Sequence, residues 1–267
     1  MAVSIEAIKE NYNANLKAKD YNEKFNRILH LIRGNFEFIL QFLHEVVHSG
    51  RFQGSKVLEV GSGATVHNIA SASACYDHIV QSDYVVDNCE ELKRWHEGTS
   101  SLDWSEFLDI IVHLEHNEND LRIARKELES RIRKSVKCVV RSDLLSDTVL
   151  PVELLIATET EPPFDLVISV LCIETAAPDY EGYIDILKRI NGLLKVGGGL
   201  IICGYENGSM WQVGDKTFHH IKLTTKQVLE ALETAGFGKC DLRTLPKVKS
   251  EYSYDYETLF CVAAEKL

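Results

Sequence analysis

Apolar positions along the chain change their spacing after about residue 50. Before it they recur every three or four positions, which predicts two amphipathic helices within residues 4–50. After it, short runs rich in Val, Ile and Leu alternate with segments of helical spacing. The runs predict strands at 56–60, 78–82, 137–141, 165–171, 199–203, 239–245 and 259–264, and the segments predict helices at 66–74, 87–97, 103–134 and 180–195. This alternation is typical of an α/β fold with a parallel sheet and right-handed crossovers.

The last two predicted strands are joined by a segment too short for a crossover helix. Only residues 246–257 separate them, so we expect them to pair as an antiparallel hairpin at the edge of the sheet. The helices of residues 1–50 are additional to such a sheet, and we expect them to pack against it or to cover a ligand. No repeat or change of composition divides the chain, which predicts a single domain over residues 1–267.

A glycine-containing turn follows the first predicted strand. The apolar run 57–60 ends in Gly61, Ser62 and Gly63, and glycine is needed where the backbone takes unusual angles or approaches a ligand closely. No third glycine stands at the spacing of a dinucleotide-binding turn, and the acidic Glu59 precedes the glycines. The positively charged amino-acid end of S-adenosylmethionine suits an acidic strand end, whereas a pyrophosphate needs free amide groups. The turn therefore favours S-adenosylmethionine over NAD.

Polar residues follow several of the other predicted strands. Ligands of an open parallel sheet bind outside the carboxyl ends of the strands, so these residues are candidates for a site. Asp83 ends the second strand, where a carboxylate would accept hydrogen bonds from both ribose hydroxyls. The alternative is that Asp83 only caps the helix that follows it. Asp143 and Leu144 follow the third strand, at the position of an adenine edge, and Glu174 follows the fourth.

Composition and charge exclude several classes of partner. The formal net charge of −11 argues against nucleic acid, because phosphate contacts need clustered Lys and Arg. No stretch approaches the ~20 apolar residues of a membrane span, and the N-terminus has no signal-peptide core, so no membrane contact is expected. The seven cysteines form no CxxC pair, which favours free thiols in the cytoplasm. The histidines have no metal-ligand spacing, so no metal is expected.

The motifs together resemble those of the small-molecule amine N-methyltransferases, the family of the phenylethanolamine, nicotinamide and indolethylamine enzymes. The resemblance covers nearly the whole chain. It is carried by segments 61–66, 82–84, 91–95, 103–105 and 171–179. Segment 171–179 is the most specific, since generic methyltransferases lack it. The resemblance implies the Rossmann-like, seven-stranded sheet of class I methyltransferases with an antiparallel last strand, S-adenosylmethionine as the cofactor, a small-molecule amine as the substrate, and residues 1–50 as a lid. We expect a monomer.

The resemblance also implies a set of cofactor-binding residues. These are Tyr21, Asn26, Gly61, Ser62, Gly63, Thr65, His67, Asp83, Tyr84, Asn88, Asp143, Leu144 and Val170. Three of them depart from the pattern of the family. Asn26 and His67 stand where the family usually has tyrosines, and Val170 stands where some members have threonine.

Four residues are implied on the acceptor side, namely Glu174, Gly204, Trp211 and Asp255. Glu174 and Asp255 fall on the amine-facing carboxylates of the phenylethanolamine enzyme and are the candidate catalytic residues. An arylalkylamine is an ammonium ion at neutral pH, so the enzyme must bind a cation and accept its proton, and carboxylates suit both tasks. Gly204 stands where the nicotinamide enzyme has an aspartate for the carboxamide. Aromatic walls are expected from Tyr21, Trp211, Tyr252 and Tyr254.

The sequence therefore favours a cytoplasmic S-adenosylmethionine-dependent N-methyltransferase of small arylalkylamines. Two alternatives stay open: a methyltransferase of nicotinamide or another pyridine, and a non-catalytic S-adenosylmethionine-binding protein. For single residues, Glu174 is alternatively a favourable charge at a helix start, and Asp255 a solvated loop residue.

Overall fold

The structure, a computed structural model, describes residues 4–117, 119–247 and 255–267. In these residues the helices are α1 (Ile5–Asn15), α2 (Ala18–His48), α3 (Val86–His96), α4 (Ser105–Leu114), α5 (Leu121–Ser135), α6 (Val152–Ile156), α7 (Ile173–Ala176), α8 (Tyr180–Leu193) and α9 (Thr225–Thr234). The strands are β1 (Lys56–Val60), β2 (His78–Asp83), β3 (Val136–Arg141), β4 (Phe164–Val170), β5 (Leu194–Glu206), β6 (Met210–Val213), β7 (Lys216–His219), β8 (Phe237–Pro246) and β9 (Thr258–Lys266).

Seven strands form one sheet in the order β3-β2-β1-β4-β5-β9-β8. β1 pairs in parallel with β2 and β4, and β9 pairs antiparallel with both β5 and β8. The seven-stranded sheet and its antiparallel last strand, both predicted from the sequence, are thus confirmed. The order places β8 at the edge and β9 inside the sheet.

Each central strand contributes to two hydrophobic cores. Val57 of β1 packs in the core formed with α2, α4 and α5, whereas Leu58 and Val60 pack in the core formed with α8 and α9. Successive side chains of a strand point to opposite faces, and here helices cover both faces. This explains why β1 has apolar residues at the adjacent positions Val57 and Leu58 rather than a strict alternation.

The prediction of a helix over 66–74 is wrong. Turns occupy this segment, with a single 3₁₀ turn at Ala72–Ala74. The Nδ2 group of Asn68 donates to a carboxylate oxygen of Glu59 at 3.1 Å, and the Ser73 hydroxyl donates to the Ala70 carbonyl at 2.6 Å. Such local side-chain bonds compete with the helical hydrogen bonds.

The single helix predicted over 103–134 is also wrong, because the structure contains two helices there. α4 ends at Leu114, and His116 takes a positive φ of 51°. Asp120 then caps α5, and its carboxylate accepts from the backbone N–H of Arg122 at 3.0 Å. A capping residue inside the periodic pattern therefore starts a new helix.

The boundary between α8 and β5 also differs from the expectation. The sequence predicts a helix over 180–195 and a strand over 199–203. The helix ends at Leu193, and β5 begins at Leu194 and runs through the glycines, with Gly197 at a φ of 74°.

The sequence analysis missed the short helices α6 and α7, helix α9 and the β6–β7 hairpin. Helix α9 begins with a complete capping box between Thr224 and Gln227, which is a readable sequence signal. The β6–β7 hairpin turns at Gly214 and Asp215, a residue pair typical of tight hairpins. Its strands are only four residues long, too short for a clear alternation.

The two predicted N-terminal helices are present, and α1 is attached through both polar and aromatic contacts, the latter between Tyr12 and Phe218. Of its own residues only Ile8 is buried. Lys9 forms an ion pair with Asp143 at 2.6 Å, and the Asn11 amide donates to the Thr217 carbonyl at 2.9 Å. Across the described ranges, none of the helices has both the length and the apolar character needed to cross a bilayer.

Candidate active site

Two adjoining cavities open at the carboxyl ends of the parallel strands. The first cavity has a volume of about 1000 Å³ and the second about 650 Å³. Both are lined by Tyr21, Leu171, Thr175 and Trp211, so these residues stand where the two cavities meet. Leu171 has a φ of 54°, an unusual conformation for leucine that follows directly after β4. Strained residues of this kind occur often in functional sites.

The glycine turn after β1 forms one wall of the first cavity. Gly61 has a φ of 70°, and a Cβ atom there would lie 2.0 Å from the Sγ atom of Cys172. Gly63 has a φ of 59°. The backbone N–H of Ser62 donates to the Ser82 carbonyl at 2.9 Å, which holds the turn against the end of β2. Position 61 therefore requires glycine for two reasons, the positive φ and the close approach of the Cys172 side chain.

Asp83 is buried at the end of β2 and connects this turn to α3. Its Oδ2 atom accepts from the N–H of Gly63 at 2.8 Å, and Oδ1 accepts from the N–H of Val85 at 2.8 Å and from the Asn88 amide at 3.0 Å. Burial raises the pKa of Asp83 above its usual value, against the lowering effect of these hydrogen bonds. A carboxylate has about four acceptor positions, so roughly one remains for a ligand hydroxyl. Val85 is the N-cap of α3, so Asp83 does not cap that helix; it holds the glycine turn and the residue before α3, and keeps free capacity toward the cavity.

Asn88 supplies a second unused polar group. Its Nδ2 group is bonded to Asp83, whereas its Oδ1 atom is buried and has no hydrogen-bond partner among the described residues. A buried acceptor without a partner is costly, and a ligand donor in the first cavity would satisfy it. The first cavity therefore fits a ligand that carries hydroxyl or amino groups.

Twelve of the thirteen residues expected to bind the cofactor line the first cavity. They are Tyr21, Gly61, Ser62, Gly63, Thr65, His67, Asp83, Tyr84, Asn88, Asp143, Leu144 and Val170. Asn26 does not line it, and its amide donates to the Asp103 carbonyl at 2.9 Å. Asn26 lies five residues after Tyr21 on α2, which turns it roughly 140° away from the face of Tyr21.

Glu59, the acid that precedes the glycines, also lies outside the cavity linings. Its carboxylate accepts from the Gln81 amide at 2.8 Å and from the Asn68 amide at 3.1 Å. Burial raises the pKa of Glu59 to about 7. The expectation that this acid faces the charged end of a ligand is therefore not supported by the geometry.

His67 lines the first cavity as part of an aromatic cluster. Its ring stacks on Phe107 with centroids 4.6 Å apart and also contacts Phe36 and Trp104. Burial lowers the pKa of His67 to about 3, so the imidazole is neutral at physiological pH.

Three of the four residues expected on the acceptor side line the second cavity, namely Glu174, Trp211 and Asp255. The fourth, Gly204, lies behind Glu174. A Cβ atom at Gly204 would be 2.8 Å from the Oε1 atom of Glu174 and 2.6 Å from the Cζ atom of Phe260. Gly204 thus provides room for the Glu174 carboxylate. Tyr252 and Tyr254, expected as aromatic walls, lie outside the described residues.

The two carboxylates of the second cavity have different surroundings. Glu174 is only 3% exposed and belongs to α7, directly after β4. Asp255 is exposed, and its oxygens accept from the backbone N–H of Ser209 at 3.1 and 3.2 Å and from the Ser209 hydroxyl. Burial acts to raise the pKa of Asp255, but the bonds from Ser209 outweigh it and hold the pKa below its usual value.

Four functional candidates were missed by the sequence analysis, namely Lys9, Tyr12, Lys24 and His220. Lys9 and Tyr12 lie on the same face of α1 as Ile8, so the helical spacing could have grouped them. Lys24 is buried in the second cavity, where its ammonium donates to the Gln212 carbonyl and burial lowers its pKa to about 8. His220 directly follows the missed hairpin, and nothing in its local sequence indicates a buried position.

Comparison with solved structures defines the class of protein. The magnesium protoporphyrin IX methyltransferase of Synechocystis, solved with bound S-adenosylmethionine, matches with a TM-score of 0.58 at 13% identity and covers 100% of this chain and 99% of that one. An S-adenosylmethionine-dependent methyltransferase of Clostridium acetobutylicum matches with a TM-score of 0.55 at 10% identity, over 92% of this chain and 98% of that one. The fold is that of the class I methyltransferases.

Sequence comparison then gives the family. The model of the NNMT/PNMT/TEMT family matches residues 5–267, and the chain belongs to this family. Human nicotinamide N-methyltransferase is 28% identical over 97% of this chain and 96% of its own length. Mouse indolethylamine N-methyltransferase is 30% identical over 82% and 80%, and rat phenylethanolamine N-methyltransferase is 28% identical over 77% and 70%. The protein is therefore an S-adenosylmethionine-dependent N-methyltransferase, and the alternative of a non-catalytic binding protein is not supported.

Proposed function

We propose that this enzyme methylates the amino nitrogen of a small arylalkylamine. The observation that carries the proposal is the joint position of Glu174 and Asp255 in one cavity that also has aromatic walls. Phe25, Trp211 and Tyr256 line the same cavity, beside the place where it meets the first cavity. Carboxylates attract an ammonium group and aromatic faces attract both its charge and an aryl ring. An arylalkylammonium ion combines the two features.

S-adenosylmethionine would occupy the first cavity. Asp83 would accept from a ribose hydroxyl, Asn88 would accept from a ligand donor, and Asp143 and Leu144 would contact the adenine edge. When bound there, the cofactor supplies a methyl group: the N–CH₃ bond forms as the CH₃–S bond breaks, and the electron pair of that bond stays on sulfur. Alignment of two reactants can lower the barrier by roughly 7–11 kcal/mol. The junction at Leu171 would set that alignment.

The direct test of the proposal is an acceptor panel. The purified enzyme is incubated with S-adenosylmethionine and a series of arylalkylamines and pyridines, and methylated products are identified by mass spectrometry. Methylation of arylalkylamines supports the proposal. Methylation confined to pyridines would replace it with the nicotinamide alternative.

Nicotinamide is expected to be a poor acceptor. Gly204 offers no carboxylate as a partner, so a carboxamide enclosed in the second cavity would leave polar groups unpaired at about 1–3 kcal/mol each. The expected kcat/KM is roughly 5- to 150-fold below that of the best arylalkylamine. Initial rates with both acceptors measure the ratio, and equal rates would contradict the assignment of Gly204.

Replacing Asp83 with alanine is expected to weaken S-adenosylmethionine binding by roughly 10- to 150-fold. One charge-assisted hydrogen bond to a ribose hydroxyl contributes about 1.5–3 kcal/mol. Calorimetric titration measures the affinity. The matched control is Asp87→Ala, because Asp87 accepts from the backbone N–H of Ala18 at 2.8 Å but does not line the first cavity. Asp83→Ala with intact fold and unchanged affinity would show that Asp83 serves only the turn.

We further propose that residues 1–267 act as one domain and as a monomer in the cytoplasm. The seven-stranded sheet includes both the first strand of the chain, β1, and the last, β9, which supports the single domain. Cys203 and Cys261 stand opposite each other on β5 and β9 and are nevertheless free thiols, which supports a reducing compartment.

A further inference from the structure

His220 is buried beside Glu174 in the second cavity. It is 5% exposed, and its Nε2 atom lies 3.7 Å from the Oε1 atom of Glu174. Its Nδ1 atom lies 2.8 Å from the carbonyl oxygen of Ile221. A carbonyl oxygen only accepts, so Nδ1 carries the hydrogen, and in the neutral ring the lone pair is on Nε2. Both residues line the second cavity, and neither Nε2 nor Oε1 has a hydrogen-bond partner among the described residues, so both buried atoms have unused hydrogen-bonding capacity.

Gly208 makes the space that the imidazole occupies. A Cβ atom at Gly208 would lie 3.3 Å from the Cε1 atom of His220 and 3.6 Å from both ring nitrogens. Gly208 lines the second cavity together with Glu174 and His220. A side chain at 208 would therefore crowd the ring, and its absence lets the imidazole contact the cavity.

We propose that Nε2 of His220 receives the proton that the bound ammonium group loses before methylation, while the Glu174 carboxylate holds the positive charge. This inference rests on the proposed amine acceptor. In the step, an N–H bond of the ammonium breaks and its electron pair stays on the amine nitrogen, which becomes the nucleophile. The proton forms a new bond to Nε2. The resulting imidazolium lies beside Glu174, so the buried pair is neutral overall.

Imidazole suits this step better than a carboxylate does. Ordinary pKa values are about 4.3 for a glutamic acid side chain, 6.5 for imidazolium and 10.4 for an alkylammonium such as lysine. The pKa difference between donor and acceptor is therefore smaller by roughly two units when the ammonium gives its proton to imidazole than when it gives it to a carboxylate. General bases are also most effective when their pKa lies near the working pH. Burial acts to lower the pKa of His220, but the adjacent Glu174 outweighs it and raises the pKa above the usual value.

Other titratable groups surround the pair. Those that line the second cavity with it are Tyr21 and Lys24 of α2, Tyr205 of β5, Asp255 and Tyr256, and His219 is its neighbour in the chain. Burial raises the pKa of Tyr21 and of Tyr205, so both phenols stay neutral. Lys24 donates to a backbone carbonyl, and Asp255 accepts from Ser209. Glu174 is the carboxylate that lies within ion-pair distance of Nε2.

The test replaces His220 with glutamine and compares it with His219→Gln. His219 is half-buried, contacts the Ala177 carbonyl and does not line either cavity, so it is a matched control. We expect His220→Gln to lower kcat/KM for an arylalkylamine at pH 7 by about 100-fold or more and to leave S-adenosylmethionine affinity unchanged. His219→Gln should behave as the wild type.

The pH profile separates proton transfer from a merely structural role. In the wild type, kcat/KM should fall as the pH drops through the raised pKa of His220, since the imidazole must be neutral to accept a proton. In His220→Gln the fall of kcat/KM that is caused by protonation of His220 should be absent. Instead, kcat/KM should rise about tenfold per pH unit until the pH reaches the pKa of the acceptor ammonium. A fluorinated arylalkylamine, whose ammonium is more acidic, should show a smaller deficit. Imidazole NMR should show a lower His220 pKa in Glu174→Gln than in the wild type.

The possible outcomes distinguish the two proposals. A wild type that methylates arylalkylamines, with a His220→Gln variant of unchanged rate and pH profile, overturns the role of His220 and leaves the proposed function standing. A loss in His220→Gln that is the same at every pH and for both amines also overturns it. A wild type that binds S-adenosylmethionine but methylates no amine overturns both.

Discussion

Glu174→Gln is expected to lower kcat/KM for arylalkylamines by about 10²–10⁴-fold, the range for positioned proton transfer, because the carboxylate holds the ammonium group and stabilises the imidazolium of His220. The carboxylate lies in the second cavity and not in the first, so affinity for S-adenosylmethionine should be unchanged. Raising the pH should restore part of the activity, because a larger fraction of the amine is then already neutral. Initial rates across pH, with calorimetry for the cofactor, measure both effects.

The control for this substitution is Glu181→Gln, which removes an exposed carboxylate from the first turn of α8. It should leave the rates unchanged. A pyridine acceptor has no proton to lose, so Glu174→Gln should affect it much less than an amine. Equal losses for both acceptors, or no loss for either, would leave Glu174 as a charge at a helix start and shift the catalytic assignment to Asp255.

Gly61→Ala is expected to reduce the free energy of unfolding by about 2–5 kcal/mol. The new Cβ would lie 2.0 Å from Sγ and 2.5 Å from Cβ of Cys172, and the residue would have to keep a φ of 70°. Overpacking typically costs about 1–3 kcal/mol and the left-handed backbone about 1–2 kcal/mol. Urea unfolding of the wild type and the variant gives the difference.

Gly63→Ala separates the two causes. Gly63 has a φ of 59°, but its Cβ would meet nothing closer than Thr65 at 3.6 Å. This variant should lose only the backbone contribution of about 1–2 kcal/mol. An equal loss of unfolding free energy in both variants would mean that Cys172 shifts away from the new Cβ atom at no energetic cost.

The central strands of the sheet could be predicted because they are buried on both faces. β1 and its neighbours have short runs of Val, Ile and Leu that no helix period fits. The β6–β7 hairpin was missed because each strand has four residues and mixed polarity. Because the hairpin was not predicted, the buried position of His220, which directly follows it, was not predicted either.

Side-chain direction explains the two cofactor-side expectations that the geometry does not support. The family resemblance implies Asn26 as a cofactor-binding residue, but on a helix it points away from Tyr21. Glu59 was interpreted as the acidic end of β1, but side chains alternate along a strand, so Glu59 lies on the same face as Val57. Both residues are bonded within the protein rather than toward the first cavity. Periodicity, applied residue by residue, would have indicated both positions.

The internal position of β9 has a consequence for synthesis of the chain. A ribosome produces β5 about fifty residues before β9, so the nascent sheet carries an open β5 edge during that interval. Unpaired strand edges recruit other chains, which makes this the stage most exposed to aggregation. Deleting β9 would also disconnect β8 from the sheet, because β9 lies between β5 and β8 and pairs with both. β8 can therefore join the sheet only after β9 has been synthesised and has paired with β5.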